Sequence, residues 1–241
     1  MRVSPVKTRI FRESGDLVAF IKQHVSKLKN GSILAVTSKI VALAEGRVMK
    51  VKGKSQKAKV IRAESTWAMK TKYVWLTMKD GMLLANAGVD ASNAGGRLIL
   101  LPKDSFASAR ELKRKLAQLY KVKLMGVVIT DSRVMPLRAG VTGVALGYAG
   151  FKGLRDYRSK KDIFGRKLKF TQTNVADSLA TAAALAMGEG RERQPLCIIE
   201  DAPVEFTSRV DGFDRLTARR NELRIPFKDD MYRPLFQRKL R

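Results

Sequence analysis

A single cysteine, Cys197, and a single histidine, His24, occur in 241 residues. One cysteine excludes an internal disulfide, and the pair argues against a zinc site, which draws on several such ligands. Cys197 stands in the apolar run Leu196 to Ile199, the setting of a buried strand thiol. A catalytic cysteine would need a basic partner. His24 falls in a helical pattern with Leu17, Phe20, Ile21, Val25 and Leu28, at the edge of its apolar face. There is no run of about 18 apolar residues, so no transmembrane helix is expected. The start, MRVSPVKTRIF, has no apolar segment of signal-peptide length. A cytosolic protein is the expectation.

Acids are also scarce. Lysine and arginine number 48 against 22 aspartates and glutamates, a formal net charge of +26. Such an excess attracts polyanions, and two readings follow: a nucleic-acid partner, or a polyanionic substrate such as a nucleoside triphosphate or a polyglutamate. Lysines cluster between Lys50 and Lys72, and arginines recur from Arg209 to Arg241, but no aromatic-basic motif of the RNA-recognition kind appears. Hydrophobic residues at 45% and charged residues at 29% fit a globular chain with a sizeable core.

Short β-rich runs alternate with amphipathic helices, which predicts an α+β chain whose sheets have flanking helices. Residues 16–29 read as a helix, with Asp16 near its start and Gly31 after its end. Ile33 to Thr37 reads as a strand, Ser38 to Glu45 as a short helix or turn, and Arg47 to Val51 as another strand. The lysine-rich segment 52–72 has few apolar anchors beyond Trp67 and reads as a basic surface excursion. Val74 to Met78 and Met82 to Ala85 suggest a hairpin around Asp80-Gly81; a loop over 86–96 and a strand over 97–101 follow. Asp104 or Ser105 caps a helix to about Lys121, with Phe106, Ala109, Leu112, Leu116 and Leu119 facing inward. Met125 to Thr130 reads as a strand ending in Asp131. Glycines recur at 140, 143, 147, 150 and 153, a pattern of strand and loop with close backbone approaches. Phe164-Gly165 fits a turn between two strands. Thr173 or Asn174 caps a helix through Met187, Gly188 ends it, and Pro195 to Glu200 gives a further strand. The main domain is drawn over 1–205, with a basic C-terminal tail over 206–241.

The nucleotide motif that first suggests itself fails. Gly53-Lys54-Ser55 resembles the end of a phosphate-binding loop, but position 48, where that motif needs glycine, is Val48. What remains are acids beside strand ends and glycine-rich turns: Asp90 in the loop 86–93, Asp131 after the apolar run GVVIT with Ser132 following, and Glu189 after the helix-ending Gly188. Hard divalent ions take oxygen ligands, and carboxylates on such loops can converge. The plainer reading of each is a turn or cap residue. Arg138, Arg155, Arg158 and Arg166 lie among the glycines of 133–166, and arginine's planar fork suits phosphate and carboxylate groups. For these the plainer reading is a solvated face. Carboxylates, arginines and glycine loops together point to phosphoryl chemistry with metal.

A series of strings then becomes informative: TSKIVALAEGR (37–47), ANAGVDASN (85–93), LPKDSFASAR (101–110), GVVITDS (126–132), LRDYR (154–158), DIFGRKL (162–168) and VADSLATAAALAMGE (175–189). In combination and order they resemble the coenzyme F420-0:L-glutamate ligase family, over roughly residues 5 to 200. The resemblance implies an enzyme that uses GTP and Mg²⁺ or Mn²⁺ to join L-glutamate to a coenzyme precursor through amide bonds, including γ-glutamyl ones, by way of an acyl phosphate. It implies a mixed α/β fold particular to the family and an intertwined homodimer. Carried over by motif, Asp90, Asp131, Ser132 and Glu189 would bind metal. Thr8, Arg9, Ile10, Phe11, Ser38, Lys39, Asn93 and the stretch 187–194, including Met187, Gly188 and Gly190, would line the nucleotide.

Two departures bear on the acceptor and the nucleotide. Where family members often read SKAEGR this chain has ALAEGR, so Leu43 stands at a nucleotide-contacting lysine position. After the metal aspartate they often read TFGRP, and this chain reads Ser132-Arg-Val-Met-Pro136. Similar variants resemble a bacterial branch proposed to act on folates. The alternative is a nucleic-acid-binding protein on an inactive ligase scaffold, which the net charge favours and the retention of all three acids opposes. A protein or peptide acceptor is a third reading, without a positive sign in the sequence.

Overall fold

The structure, a computed structural model, describes residues 1–207 and 222–237. Strand β1 (Arg2–Val6) leads to helix α1 (Leu17–His24), whose first turn is capped by the Asp16 carboxylate accepting from the Val18 and Ala19 N–H groups. Strand β2 (Ser32–Thr37) runs directly into α2 (Ser38–Ala44). Next come β3 (Val48–Met49), α3 (Gly53–Ala63) and three strands, β4 (Trp67–Lys70), β5 (Trp75–Lys79) and β6 (Met82–Ala85). Strand β7 (Leu98–Ile99) precedes α4 (Ser105–Tyr120), which the Asp104 side chain caps. Strands β8 (Met125–Val134) and β9 (Val141–Ala149) form a long hairpin, and the shorter β10 (Leu154–Asp156) and β11 (Gln172–Asn174) pair across an excursion. Helix α5 (Val175–Met187), capped by Asn174, leads to β12 (Leu196–Glu200), and α6 (Arg233–Gln237) lies in the tail.

The central sheet has the order β1-β12-β2-β8-β9, antiparallel except for the parallel pair β2 and β8. Its inner strands are apolar without a break because both faces are covered. Along β2, Leu34 and Val36 face the cluster of α1, α2 and α4, while Ile33 and Ala35 face α5 with Val128, Cys197 and Ile199. This is the two-residue period of a strand feeding two cores. Each fully buried Leu or Ile stabilises by about 1.5–3 kcal/mol relative to exposure.

Two glycines of β9 set how closely the helices approach. A Cβ on Gly147 would lie 2.3 Å from the carbonyl carbon of Ser105 at the start of α4, and one on Gly143 would lie 2.4 Å from the Ala180 carbonyl oxygen of α5. The close backbone approaches expected from the glycine spacing are therefore real, one on each face of the sheet.

Several boundaries differ from the sequence reading. Helix α1 stops at His24, and Val25 is extended at φ −115°, yet Val25 and Leu28 stay buried. The apolar spacing there recorded burial and not continued helix. Leu119 is 40% exposed, on the outer side of α4. Strand β8 does not end at Asp131 but runs on to Val134, because β9 continues to pair with it past a register shift at Ile129/Thr130. The basic segment 52–72 folds into α3 and β4, and its buried anchor is Ile61, with Trp67 40% exposed. Ile61 joins Ala87, Val89, Leu98 and Leu100 in a small core of its own. Of the basic tail, 208–221 and 238–241 lie outside the described residues, with many of the arginines noted there. Within the described part, the Glu222 carboxylate accepts from the Tyr148 hydroxyl and from the Gly153 N–H at 2.7 Å. Among the described residues no helix is long and apolar enough to cross a membrane.

Candidate active site

The carboxyl ends of the parallel strands β2 and β8 meet at the pair Thr37 and Thr130. In open α/β sheets this is the edge where ligands bind, since chain segments diverge from it. Here the divergence leaves a cavity of about 610 Å³. The loop after β1 brings Thr8, Arg9, Ile10 and Phe11 to its wall, the start of α2 brings Ser38 and Lys39, and the loop after β6 brings Asp90 and Asn93. Strand β8 adds Asp131 and Ser132, and the end of α5 adds Met187, Gly188, Glu189 and Gly190. All the metal and nucleotide candidates read from the sequence thus border one space.

Local structure explains how each acid is held. Asp90 is fixed by its backbone, which exchanges two hydrogen bonds with Ile99 at 2.9 and 2.8 Å. Upstream, the Asn86 side chain accepts from the Trp75 N–H at 3.0 Å, and the buried Thr77 hydroxyl accepts from the Ala87 N–H at 2.7 Å. The small sheet β4-β5-β6 therefore anchors the loop that presents Asp90. Burial opposes ionisation of the Asp90 carboxyl, but Lys39 at 2.8 Å and the N–H and hydroxyl of Ser92, both at 2.7 Å, hold it below its ordinary range.

Asp131 follows the register shift in β8, the kind of irregularity that re-aims a side chain. Burial pushes its carboxyl up to about 6, and the charge of Asp90 adds to this; bonds from the Ser132 backbone and the Ser38 side chain and the charge of Lys39 act the other way. Glu189 sits past the α5 terminus, and its carboxylate accepts from the Ser132 hydroxyl at 3.1 Å. The rim is tied by Asn93 Nδ2 donating to the Gly190 carbonyl at 3.3 Å, Thr8 N–H to Arg193 at 2.9 Å and Thr37 N–H to Pro195 at 3.0 Å.

The donor set is carboxylate and hydroxyl oxygen, which suits a hard divalent ion and not a soft one. Among the described residues no three acids close on a single point. Magnesium is commonly held by one or two carboxylates with waters and substrate phosphates completing the shell. Asp131, raised by burial and by its neighbour Asp90, is a carboxylate that an added cation would relieve. The residues fit such an ion in company with a phosphate.

The comparisons with known proteins follow the same lines. The family model described as F420-0:Gamma-glutamyl ligase matches residues 5–201. The chain belongs to this family. A coenzyme F420:L-glutamate ligase of Methanopyrus kandleri is 34% identical, over 95% of this chain and 96% of that protein. Proteins of the same name from Methanococcus maripaludis and Archaeoglobus fulgidus are 37% and 34% identical, over 80% and 79% of this chain and 79% and 83% of theirs. Membership makes the chain an enzyme, an acid–amino-acid ligase of the γ-glutamyl kind. These relatives lend no support to a nucleic-acid-binding protein on an inactive scaffold.

Other candidates lie elsewhere in this ligase. None of the four arginines lines the cavity. Arg138 is in the β8–β9 turn, Arg155 donates to the Pro203 carbonyl, Arg158 pairs with Asp156 at 2.5 Å and Arg166 with Asp162 at 3.1 Å. Glycine neighbourhoods marked turns there, and Arg158 and Arg166 satisfy acids two and four residues away. Cys197 is buried, its thiol pushed up to about 11. His24 bonds the Phe20 carbonyl through Nδ1 at 2.8 Å and accepts from the Arg9 N–H at 3.2 Å, so it braces the loop that carries Thr8 to Phe11. Leu43 does line the cavity, where the family often has lysine. Sequence reasoning missed Ser92; its place two residues after Asp90, where a carboxylate bonds its own backbone, was the available signal.

Proposed function

We propose that this chain joins L-glutamate to a deazaflavin acceptor of the F420-0 type through amide bonds, γ-linked once a glutamate is in place, with GTP as co-substrate and Mg²⁺ or Mn²⁺ as the ion. The observation that carries the reading is the convergence of Asp90, Asp131, Ser132 and Glu189 on one cavity with the family's nucleotide-lining segments. In the first step an acceptor carboxylate oxygen attacks the γ-phosphorus, the bond to the β-phosphate breaks, and an acyl phosphate and GDP result. In the second the glutamate amine attacks the acyl carbon, the amide forms, phosphate leaves, and the nitrogen loses its proton. Asp90, Asp131, Ser132 and Glu189 would hold the ion, which when bound neutralises charge on the phosphates. Thr8 to Phe11, Ser38, Asn93 and 187–194 would enclose the nucleotide and exclude water. Lys39, now on Asp90, is placed to exchange that partner for a phosphate.

The ligase unit is taken as 1–205, acting as a homodimer. Large apolar side chains left outside support assembly: Ile163 is 92% exposed and Phe164 79%, both between β10 and β11.

The test is direct. Purified protein is incubated with GTP or ATP, Mg²⁺ or Mn²⁺, L-glutamate, and either the deazaflavin precursor or a reduced folate, and products are weighed by mass spectrometry. A glutamate-sized gain on the deazaflavin is the expected result, and Asp131→Asn abolishes it. A gain on the folate alone would replace the acceptor; no gain on either would overturn the reading. Full activity in Asp131→Asn would remove the metal assignment.

A further inference from the structure

A second, open cavity of about 720 Å³ adjoins the first, with Gly95 lining both. Its wall carries Lys50, Lys52 and Arg97 with Gln56, Gly95 and Gly96, and no acid. The Gln56 side chain accepts from the Lys52 N–H at 2.6 Å, which fixes the turn that presents Lys52. Arg97 shares its charge with Glu13, two residues beyond Phe11 of the first cavity. Lys50 and Lys52 enter no ion pair among the described residues. A Cβ on Gly95 or Gly96 would meet nothing within 4 Å, so the shared edge is open.

Given the γ-glutamyl ligase reading, on which this rests, we propose that this basic cavity binds the free α-carboxylates of γ-linked glutamyl residues already on the acceptor. The chemistry of the linkage supplies the ligand. Every γ-amide leaves one α-carboxylate unreacted, so a glutamylated acceptor trails anions behind its reacting γ-carboxylate. That reacting end must reach the phosphate in the first cavity, and the trailing anions then lie toward the neighbouring one. Lysine ammonium groups are compact charges on flexible stems, suited to a chain whose carboxylates shift position as it grows. The cavity would thereby favour the second addition over the first.

The test pairs a binding probe with a product distribution. Calorimetry with γ-linked diglutamate is run on the full chain and on Lys50→Glu/Lys52→Glu. The variant is expected to bind about tenfold more weakly, a modest loss because both charges are exposed. A control of equal charge change far from the cavity, Lys121→Glu/Lys123→Glu, keeps wild-type affinity. In ligation the variant adds the first glutamate at the wild-type rate and the second about tenfold more slowly, and Lys50→Arg/Lys52→Arg restores it. Unchanged diglutamate binding in the charge-reversed variant, or none by the wild type, overturns the proposal. Equal loss in the distant control overturns it too, since net charge would then suffice. Wild-type protein that ligates glutamate with no dependence on Lys50 and Lys52 sinks the cavity and spares the ligase reading. Lys50-dependent diglutamate binding without any ligation does the reverse.

Discussion

Gly143→Ala couples stability to the site in a way the structure makes quantitative. Gly143 is the cross-strand partner of Ser132, and its Cα hydrogen faces α5. A Cβ there would sit 2.4 Å from the Ala180 carbonyl oxygen, 2.8 Å from its carbon and 2.7 Å from Ala184 Cβ. Ordinary contact begins near 3.4 Å, so helix and strand must separate by about 1 Å. Overpacking costs about 1–3 kcal/mol, and backbone atoms cannot step aside, so the upper half of that range applies. For a chain of this size the melting temperature should fall by about 5–10 °C. The same movement carries the α5 terminus, with Met187, Gly188 and Glu189, away from Asp131 and Ser132. A misplacement of about 1 Å at a reacting centre can cost about 100-fold, so kcat/KM for ligation should drop on that scale. Thermal unfolding and the ligation assay read the two effects. Adding Ala184→Gly removes only the side-chain contact and should not rescue either. A melting temperature within about 2 °C of wild type, or full rescue by Ala184→Gly, would refute the reasoning.

Two further outcomes follow from the carboxylates. Folding raises the Asp131 pKa from 3.8 to about 6, so the folded state holds an extra proton in that window and stability is lost as pH rises through it. In chelator, Asp131→Asn should therefore stabilise by about 3 kcal/mol at pH 8 and about half as much at pH 5, measured by urea unfolding; equal gains at the two pH values would discard the burial argument. Lys39→Met removes the counter-charge 2.8 Å from Asp90. Both groups are partly exposed, so metal-free stability should fall by about 1 kcal/mol or less, and Mn²⁺ should recover it; a loss that Mn²⁺ leaves untouched would show that Lys39 does not stand in for a cation.

The elements with strong local signals were legible before the structure. Asp104, Asn174 and Gly188 mark helix ends where capping chemistry demands them, and the unbroken runs of β2 and β8 announce strands covered on both faces. The sheet order was not legible, because the parallel pairing of β2 with β8 joins residues about 90 positions apart through backbone bonds that leave no local trace. The arginines misled for a local reason. Glycine and arginine in one stretch suggested phosphate, while Asp156 and Asp162, two and four residues away from Arg158 and Arg166, were their nearer partners. The acids that border the first cavity were picked out by motif order. Their electrostatics were not, since the pairing of Lys39 with Asp90 and the burial of Asp131 exist only once the loop after β6 is laid against the end of β2.

Acid scarcity sharpens the meaning of that cavity. With 22 acids against 48 bases, a random patch of this surface should be strongly basic. The first cavity instead has four acids, Asp90, Asp131, Glu189 and Glu192, beside four bases, Arg9, Lys39, Arg191 and Arg193. The adjoining one has three bases and no acid. An anion alone would be served by the chain's ordinary basic surface. Holding carboxylates together against burial, with one of them raised to about 6, is costly unless a cation joins them. In the proposed reaction a nucleotide arriving with a divalent ion would use both halves of the first cavity, the ion on the acids and the phosphates on the bases, while an all-anionic chain would find its match next door.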